Sequence, residues 1–143
     1  YLSMVPECQE RIKDILEKEE DIVLAYLFGS YARNKTTALS DIDIGILFNS
    51  GIDSLHRHNI KLKLMGEIAQ ACKVDKIDIV DMEKGSILLK YNIIKQGKIL
   101  KSADEDRRVK QETQIISRYL DEKYYLQRHS GIILKRIASR GLA

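Results

Sequence analysis

Two cysteines, one proline, two phenylalanines and no tryptophan occur in 143 residues. Cys8 and Cys72 fit no metal-ligand spacing, and so sparse a pair is no disulfide framework. Both therefore read as reduced thiols of a cytoplasmic protein. No apolar run approaches the ~20 residues that a membrane helix needs. The first residues lack the basic-then-apolar layout of a secretory signal. Repeats, low-complexity tracts and an interdomain linker are also missing. A net charge of only +3 gives weak attraction to a polyanion and no argument for direct nucleic-acid binding. These absences remove membrane proteins, disulfide scaffolds and strongly basic nucleic-acid binders from consideration.

What is present suits one soluble globular domain, with 44% apolar and 31% charged residues. A chain of this length buries roughly 68% of the surface it exposes when unfolded. Pro6 suits a first helical turn, and Ile12, Ile15 and Leu16 continue helical spacing to about Glu20. Ile22 to Phe28 is an apolar run rich in strand formers, and Ile42 to Phe48 is a second. Between them, residues 34–40 are polar and read as a loop. Leu62, Met65, Ile68 and Ala69 predict one face of a helix from about His58 to Cys72. Lys76 to Met82 alternates as a strand. Ser86 is a natural N-cap for a helix through Gln96, with Gly97 as the residue after its end, and Lys98 to Lys101 reads as a short last strand. From about Ala103 the spacing of Ile115, Ile116, Tyr119, Leu120, Ile133, Leu134 and Ile137 predicts one long helix or two, weakest at Ser130-Gly131. The fold class is thus α/β (α+β): a small mixed sheet backed by helices, with residues 1–102 as core and 103–143 as a helical extension of the same domain.

The chemistry concentrates where the first strand ends. Gly29 lets the backbone approach a phosphate closely because it has no Cβ. Ser30 adds a hydroxyl and an amide where a short helix should begin, a good anion site. Arg33 lies one turn on, a candidate for contact with a triphosphate oxygen, and Ser40 is a further candidate nucleotide contact. Asp41 and Asp43 then flank Ile42. Side chains two apart on a strand share a face, so both carboxylates point opposite to Ile42, Ile44 and Ile46. Such a pair repels itself unless a cation offsets it, and Mg²⁺ prefers carboxylate and phosphate oxygens. Gly45 follows on the same face and is expected to leave room for a ligand. In the third strand Asp78 alternates with Ile77 and Ile79, whereas Asp75 and Asp81 share the isoleucine side. Parity therefore selects Asp78 as the third acid, a general base that also touches metal. An Asp-x-Asp alone usually marks a solvated strand edge, and Gly-Ser after a strand is mostly a turn. Their conjunction, with a third acid of matching parity, is far more specific.

Gly29-Ser30, Asp41-Ile42-Asp43 and Asp78 resemble the signature of the DNA polymerase β-like nucleotidyltransferase superfamily. The short length resembles its minimal branch, the MntA-type antitoxins paired with HEPN ribonuclease toxins. The resemblance covers residues 22–82 closely and the tail more loosely. It implies Mg²⁺, ATP as donor, and transfer of AMP to a tyrosine of the cognate HEPN toxin, in a type VII-like toxin–antitoxin pair forming a hetero-oligomer. It also implies that Asp41, Asp43 and Asp78 hold the metal and carry catalysis. Asn34 stands where relatives commonly have glycine, and asparagine tolerates a positive φ nearly as well. One alternative is a small-molecule, aminoglycoside-like nucleotidyltransferase, although only about forty residues follow the core. Another is a non-catalytic antitoxin that acts by binding alone.

Other features read more plainly. His56 and His58 lack a third ligand and suit a solvated loop. The HEPN motif spaces arginine and histidine four to six residues apart, which no pair here does, so the chain is the antitoxin side. Tyr119, Tyr124 and Tyr125 are candidate self-modification targets, but packing between helices is the favoured expectation. Arg107, Arg108 and Lys110 read as a solvated face.

Overall fold

The two apolar runs form the central strands of a four-stranded sheet in the computed structural model, β1 (Ile22–Phe28) and β2 (Ile42–Phe48). The structure describes residues 4–29, 42–74 and 76–141, with side chains described for 7–29, 42–74 and 76–129. The candidates Ser30, Arg33, Ser40 and Asp41, together with Asn34 and Asp75, lie outside the described residues. Helix α1 (Met4–Glu17) precedes β1, and α2 (Ser54–Cys72) links β2 to β3 (Ile77–Asp81). A single 3₁₀ turn (Met82–Lys84) leads to α3 (Ile87–Gln96), β4 (Lys98–Ser102) and α4 (Glu105–Gly141). The strand order is β3-β2-β1-β4.

β1 pairs antiparallel with both β2 and β4, as chain reversals allow, while β2 and β3 are parallel and need the crossover through α2. Both central strands are buried along nearly their whole length, because helices cover both faces. On one face Ile42, Ile44, Ile46, Ile77 and Ile79 pack with Ile12 and Leu16 of α1 and with Ile60, Leu64 and Ile68 of α2. On the other, Leu24, Tyr26 and Leu47 pack with Met82, Ile93 of α3 and Ile115 of α4. The mixed sheet backed by helices with a helical C-terminal segment is the architecture expected. Among the described residues no helix is long and apolar enough to cross a membrane.

Several local expectations are corrected. Helix α2 begins four residues before His58, because the Asp53 side chain accepts from the His56 amide at 2.8 Å and caps its first turn. His56 and His58 therefore lie on a helix, not in a loop, and His56 Nε2 sits 2.8 Å from Asp21 Oδ2. The buried stripe of α2 is Ile60, Leu64, Ile68 and Cys72, while Leu62 is exposed. Gly97 ends α3 with φ −76°, so a left-handed turn is not what requires glycine. A Cβ there would collide with the Ile93 carbonyl, to which the Gly97 amide donates at 2.8 Å, so the tight end of α3 itself is the requirement, and Leu27 O of β1 at 3.3 Å leaves little further room.

Cys8 and Cys72 are not free thiols. They form a disulfide with Cα atoms 5.3 Å apart, within the range such a bridge needs. Their 64-residue separation hides the contact, which arises because α1 and α2 lie side by side on one face of the sheet. Arg11 Nη1 adds a second tie there, donating to Ala71 O at 2.7 Å. Lys101 is buried on β4, where its ammonium donates to the Leu16 and Glu19 carbonyls at 3.0 and 2.7 Å. Those carbonyls sit at the end of α1, where a cation complements the helix dipole.

Candidate active site

Asp43 occupies the centre of the site because β2 lies between β1 and β3. Its register partners are Phe28 on the antiparallel side and Asp78 on the parallel side. Neighbouring strands run about 4.8 Å apart, so Asp43 and Asp78 emerge side by side. Their isoleucine neighbours are all buried against α1 and α2, which turns both carboxylates to the opposite face. Asp43 is half-buried and Asp78 exposed. The parity argument therefore holds for both described acids.

Gly29 closes the site from β1. Its φ is +79°, a conformation that penalises any residue with a Cβ. It also lies against Asp43: an added Cβ would collide with the Asp43 carboxylate. Glycine is thus needed twice, for the turn and for contact with an acid. The chain end of β1 and the chain starts of β2 and β3 thus bring Gly29, Asp43 and Asp78 to one end of the sheet.

Gly45 does not open a ligand space. A Cβ there would stand 3.2 Å from both Ile93 Cδ1 and Ile93 Cγ2, and 3.3 Å from Met82 Cγ. The missing side chain instead seats α3 against β2, two residues from Asp43. Asp81 faces the isoleucine side, as expected, and is buried. Arg57 Nη1 donates to its Oδ2 at 3.0 Å, and the Glu83 amide donates to its Oδ1 at 3.1 Å. Hydrogen bonds from Arg57 to Asp81 and then Glu83 raise the guanidinium pKa, and Arg57 also lies 5.2 Å over the Phe48 ring. This is a structural ion pair. Among the described residues no group of three or more His, Cys, Asp or Glu side chains is placed to hold a metal ion. Asp43 and Asp78 supply hard oxygen donors of the type Mg²⁺ takes.

Two residues of the site face were not identified from sequence. Phe28 lies opposite Asp43, and Tyr26 lies opposite Gly45. The Tyr26 hydroxyl donates to Glu112 Oε2 of α4 at 3.1 Å. Burial, followed by the nearby Glu112 carboxylate, raises the Tyr26 pKa well above the usual phenol value. The apolar run showed that β1 was buried, but neither the antiparallel register nor the 86-residue contact is legible in it.

Helix α4 runs toward the end of the sheet that carries Gly29, Asp43 and Asp78. Arg107 near its start bonds Asn49, which follows the far end of β2, at 3.1 Å. Glu112 meets Tyr26 at mid-sheet, Arg108 Nη1 holds Glu112 at 2.6 Å, and Tyr119 stacks on Tyr91 of α3 at 3.7 Å between centroids. From Tyr26 to Gly29 is roughly 10 Å of strand. From Glu112 to Tyr119 is about 10 Å of helix. Residues beyond Tyr119 therefore stand at or past the level of the Gly29 turn. Tyr119 packs as expected, but Tyr124 and Tyr125 do not: they are 62% and 59% exposed, beside exposed Leu120 and Leu126. Arg107 and Arg108 are partly buried in polar contacts, so the stretch is not simply a solvated face.

Comparison with known proteins agrees with this geometry. Residues 10–106 match the family described as Polymerase beta, Nucleotidyltransferase. The chain is 34% identical over 95 residues to the protein adenylyltransferase MntA of Shewanella oneidensis, a match covering 66% of this chain and 65% of that relative. A crystal structure of a toxin–antitoxin with AMP-PNP superposes with TM-score 0.66 at 28% identity, covering 90% of this chain and 98% of the other. A structure of a tri-AMPylated Shewanella oneidensis HEPN toxin in complex with MNT antitoxin gives 0.58 at 26%, over 90% and 98%.

Proposed function

The chain belongs to the Polymerase beta nucleotidyltransferase family, and we propose that it is an antitoxin enzyme that transfers AMP from ATP to a tyrosine of a cognate HEPN ribonuclease toxin and so neutralises it. The observation that carries this reading is the register of Asp43 with Asp78 beside the Gly29 turn. The adenylyltransferase relative, and the complex of an MNT antitoxin with an AMPylated toxin, support the reaction class. The neighbour with AMP-PNP, a triphosphate analogue, supports ATP as donor.

Asp41, Asp43 and Asp78 would hold Mg²⁺, which when bound neutralises charge on the phosphates and the departing pyrophosphate. Gly29 brings the backbone close to the triphosphate, and Ser30, Arg33 and Ser40 complete the nucleotide contacts. Asp78, the more exposed of the two described acids, accepts the phenolic proton as the tyrosine oxygen attacks the α-phosphorus in line. The core at 1–102 performs the chemistry. The extension at 103–143 presents the toxin through exposed Leu120 and Leu126, which nothing else in the described chain covers. The cytoplasm, with its ATP and Mg²⁺, suits this reaction, and that argument replaces the reduced-thiol one, which the Cys8–Cys72 bridge removes.

Incubation with ATP, Mg²⁺ and the neighbouring gene product, followed by intact mass of both proteins, tests the proposal. AMP units on the partner are the expected result. An unmodified partner alongside an adenylylated aminoglycoside would establish the small-molecule reading instead. Protection from the toxin by a chain lacking Asp43 and Asp78 would establish action by binding alone.

A further inference from the structure

We propose that Tyr124 and Tyr125 are acceptors for this chain's own transferase, adenylylated by the catalytic site of a second copy. The inference rests on the transferase reading above and extends it to a second protein substrate. Tyrosines in a helix ordinarily earn their place by packing, as Tyr119 does against Tyr91. Tyr124 and Tyr125 are instead more than half exposed, and the space beside Tyr125 is an open hollow of about 360 Å³ lined also by Asp121, Glu122 and Leu126. Tyr125 contacts His129 by ring stacking at 4.1 Å, which leaves its hydroxyl unconstrained by that contact.

Geometry decides which copy acts. Glu112, Ile115 and Tyr119 mark the face of α4 that meets the body. At 100° per residue, Tyr124 and Tyr125 lie roughly 140° and 120° away from Tyr119, on either side. Because α4 is one continuous helix, it holds both phenols directed away from the body that carries its own Asp43 and Asp78. A second copy has no such restriction. Arg118, Lys123 and Arg128 outnumber Asp121 and Glu122 around the two tyrosines, which leaves residues 118–128 with a small positive excess toward a site that holds a triphosphate. Leu120 and Leu126 give the approaching copy an apolar foothold.

The step is an ordinary nucleotidyl transfer. The tyrosine Oη forms a bond to the α-phosphorus of ATP, the bond from that phosphorus to the bridging oxygen breaks, and pyrophosphate leaves. The phenolic proton passes to Asp78 of the donor copy.

The test uses the full chain with ATP and Mg²⁺ and no partner, read by intact mass and peptide mapping. One or two AMP units on Tyr124 and Tyr125 are expected, with an initial rate that rises with the square of chain concentration. In a mixture, Asp43→Asn chains should receive AMP from Tyr124→Phe/Tyr125→Phe chains, which themselves stay unmodified. A first-order rate, or AMP mapped only to other residues, overturns the inference. So does an unmodified chain in a preparation that adenylylates its cognate toxin, an outcome that leaves the transferase reading standing. If the same preparation modifies neither protein, both readings fall.

Discussion

Gly29 and Asp78 carry the sharpest consequences at the scale of single residues. Replacing Gly29 with alanine sets a Cβ against the Asp43 carboxylate in a backbone conformation that already disfavours it. Strain of this kind costs on the order of 1–3 kcal/mol. A lower melting temperature together with a large loss of kcat/KM for AMP transfer is therefore expected, since Asp43 and the Gly29 turn would be displaced together. Asp78→Asn removes a proton acceptor from an exposed position. It should lower kcat by roughly 10²–10⁴-fold, the usual contribution of a general base, with an unchanged denaturation midpoint. Loss of stability in that variant would assign Asp78 a structural role instead. Tyr26 gives a pH signature. Its folded pKa is raised by burial and by Glu112, so the folded state keeps the phenolic proton longer than the unfolded chain does. The stabilising contribution is complete below the unfolded phenol pKa of about 10 and falls as pH rises beyond it. Urea titrations above about pH 10 should show wild-type stability declining more steeply than that of Tyr26→Phe. At this scale parity was a reliable guide: alternation of aspartate with isoleucine selected Asp43 and Asp78 and set Asp81 on the other side. It misread Gly45, because alternation gives the face of a residue and not what packs onto that face.

At the scale of elements, the strands were legible and the contacts between helices were not. Apolar β-branched runs with polar ends define β1 and β2, whose burial on both faces leaves little freedom in their assignment. The start of α2 was missed because Asp53 caps it through a side chain, while the helical periodicity becomes visible only later. The Cys8–Cys72 bridge was missed because it depends on how α1 and α2 lie together. Closing a chain segment of this length contributes about 4 kcal/mol in the loop-entropy account. Reduction, or the Cys8→Ser/Cys72→Ser variant, should therefore lower the denaturation midpoint substantially, and an unchanged midpoint would show the bridge to be energetically idle. Helix α3 depends on one fully buried side chain, Ile93, lodged over Gly45. Ile93→Ala should cost about 2–5 kcal/mol. It should also raise KM for ATP, because α3 and Asp43 share the same strand as their support.

Across the whole molecule, the direction of α4 joins the end of the sheet that carries Asp43 and Asp78 to an exposed helical segment. A chain ending after Tyr119 keeps the anchoring contacts at Glu112, Ile115 and Tyr119. It should still bind ATP with a dissociation constant within about twofold of the full chain, yet lose most modification of the toxin, as titration calorimetry and intact mass would show. Such a split assigns recognition to the distal helix and chemistry to the core. The amino-acid sequence alone determined that Asp43 and Asp78 face away from the isoleucine layer, since side-chain alternation along a strand is a local pattern of period two, while the reaction class rests on the resemblance of the motifs to a known superfamily. The sequence also determined the order of elements. Only tertiary structure decided that Asp43 and Asp78 stand in register, that Gly45 seats a helix, that two cysteines meet, and that Tyr124 and Tyr125 project unpacked. Each of these depends on pairing between segments far apart along the chain, and nothing local in either segment records its partner.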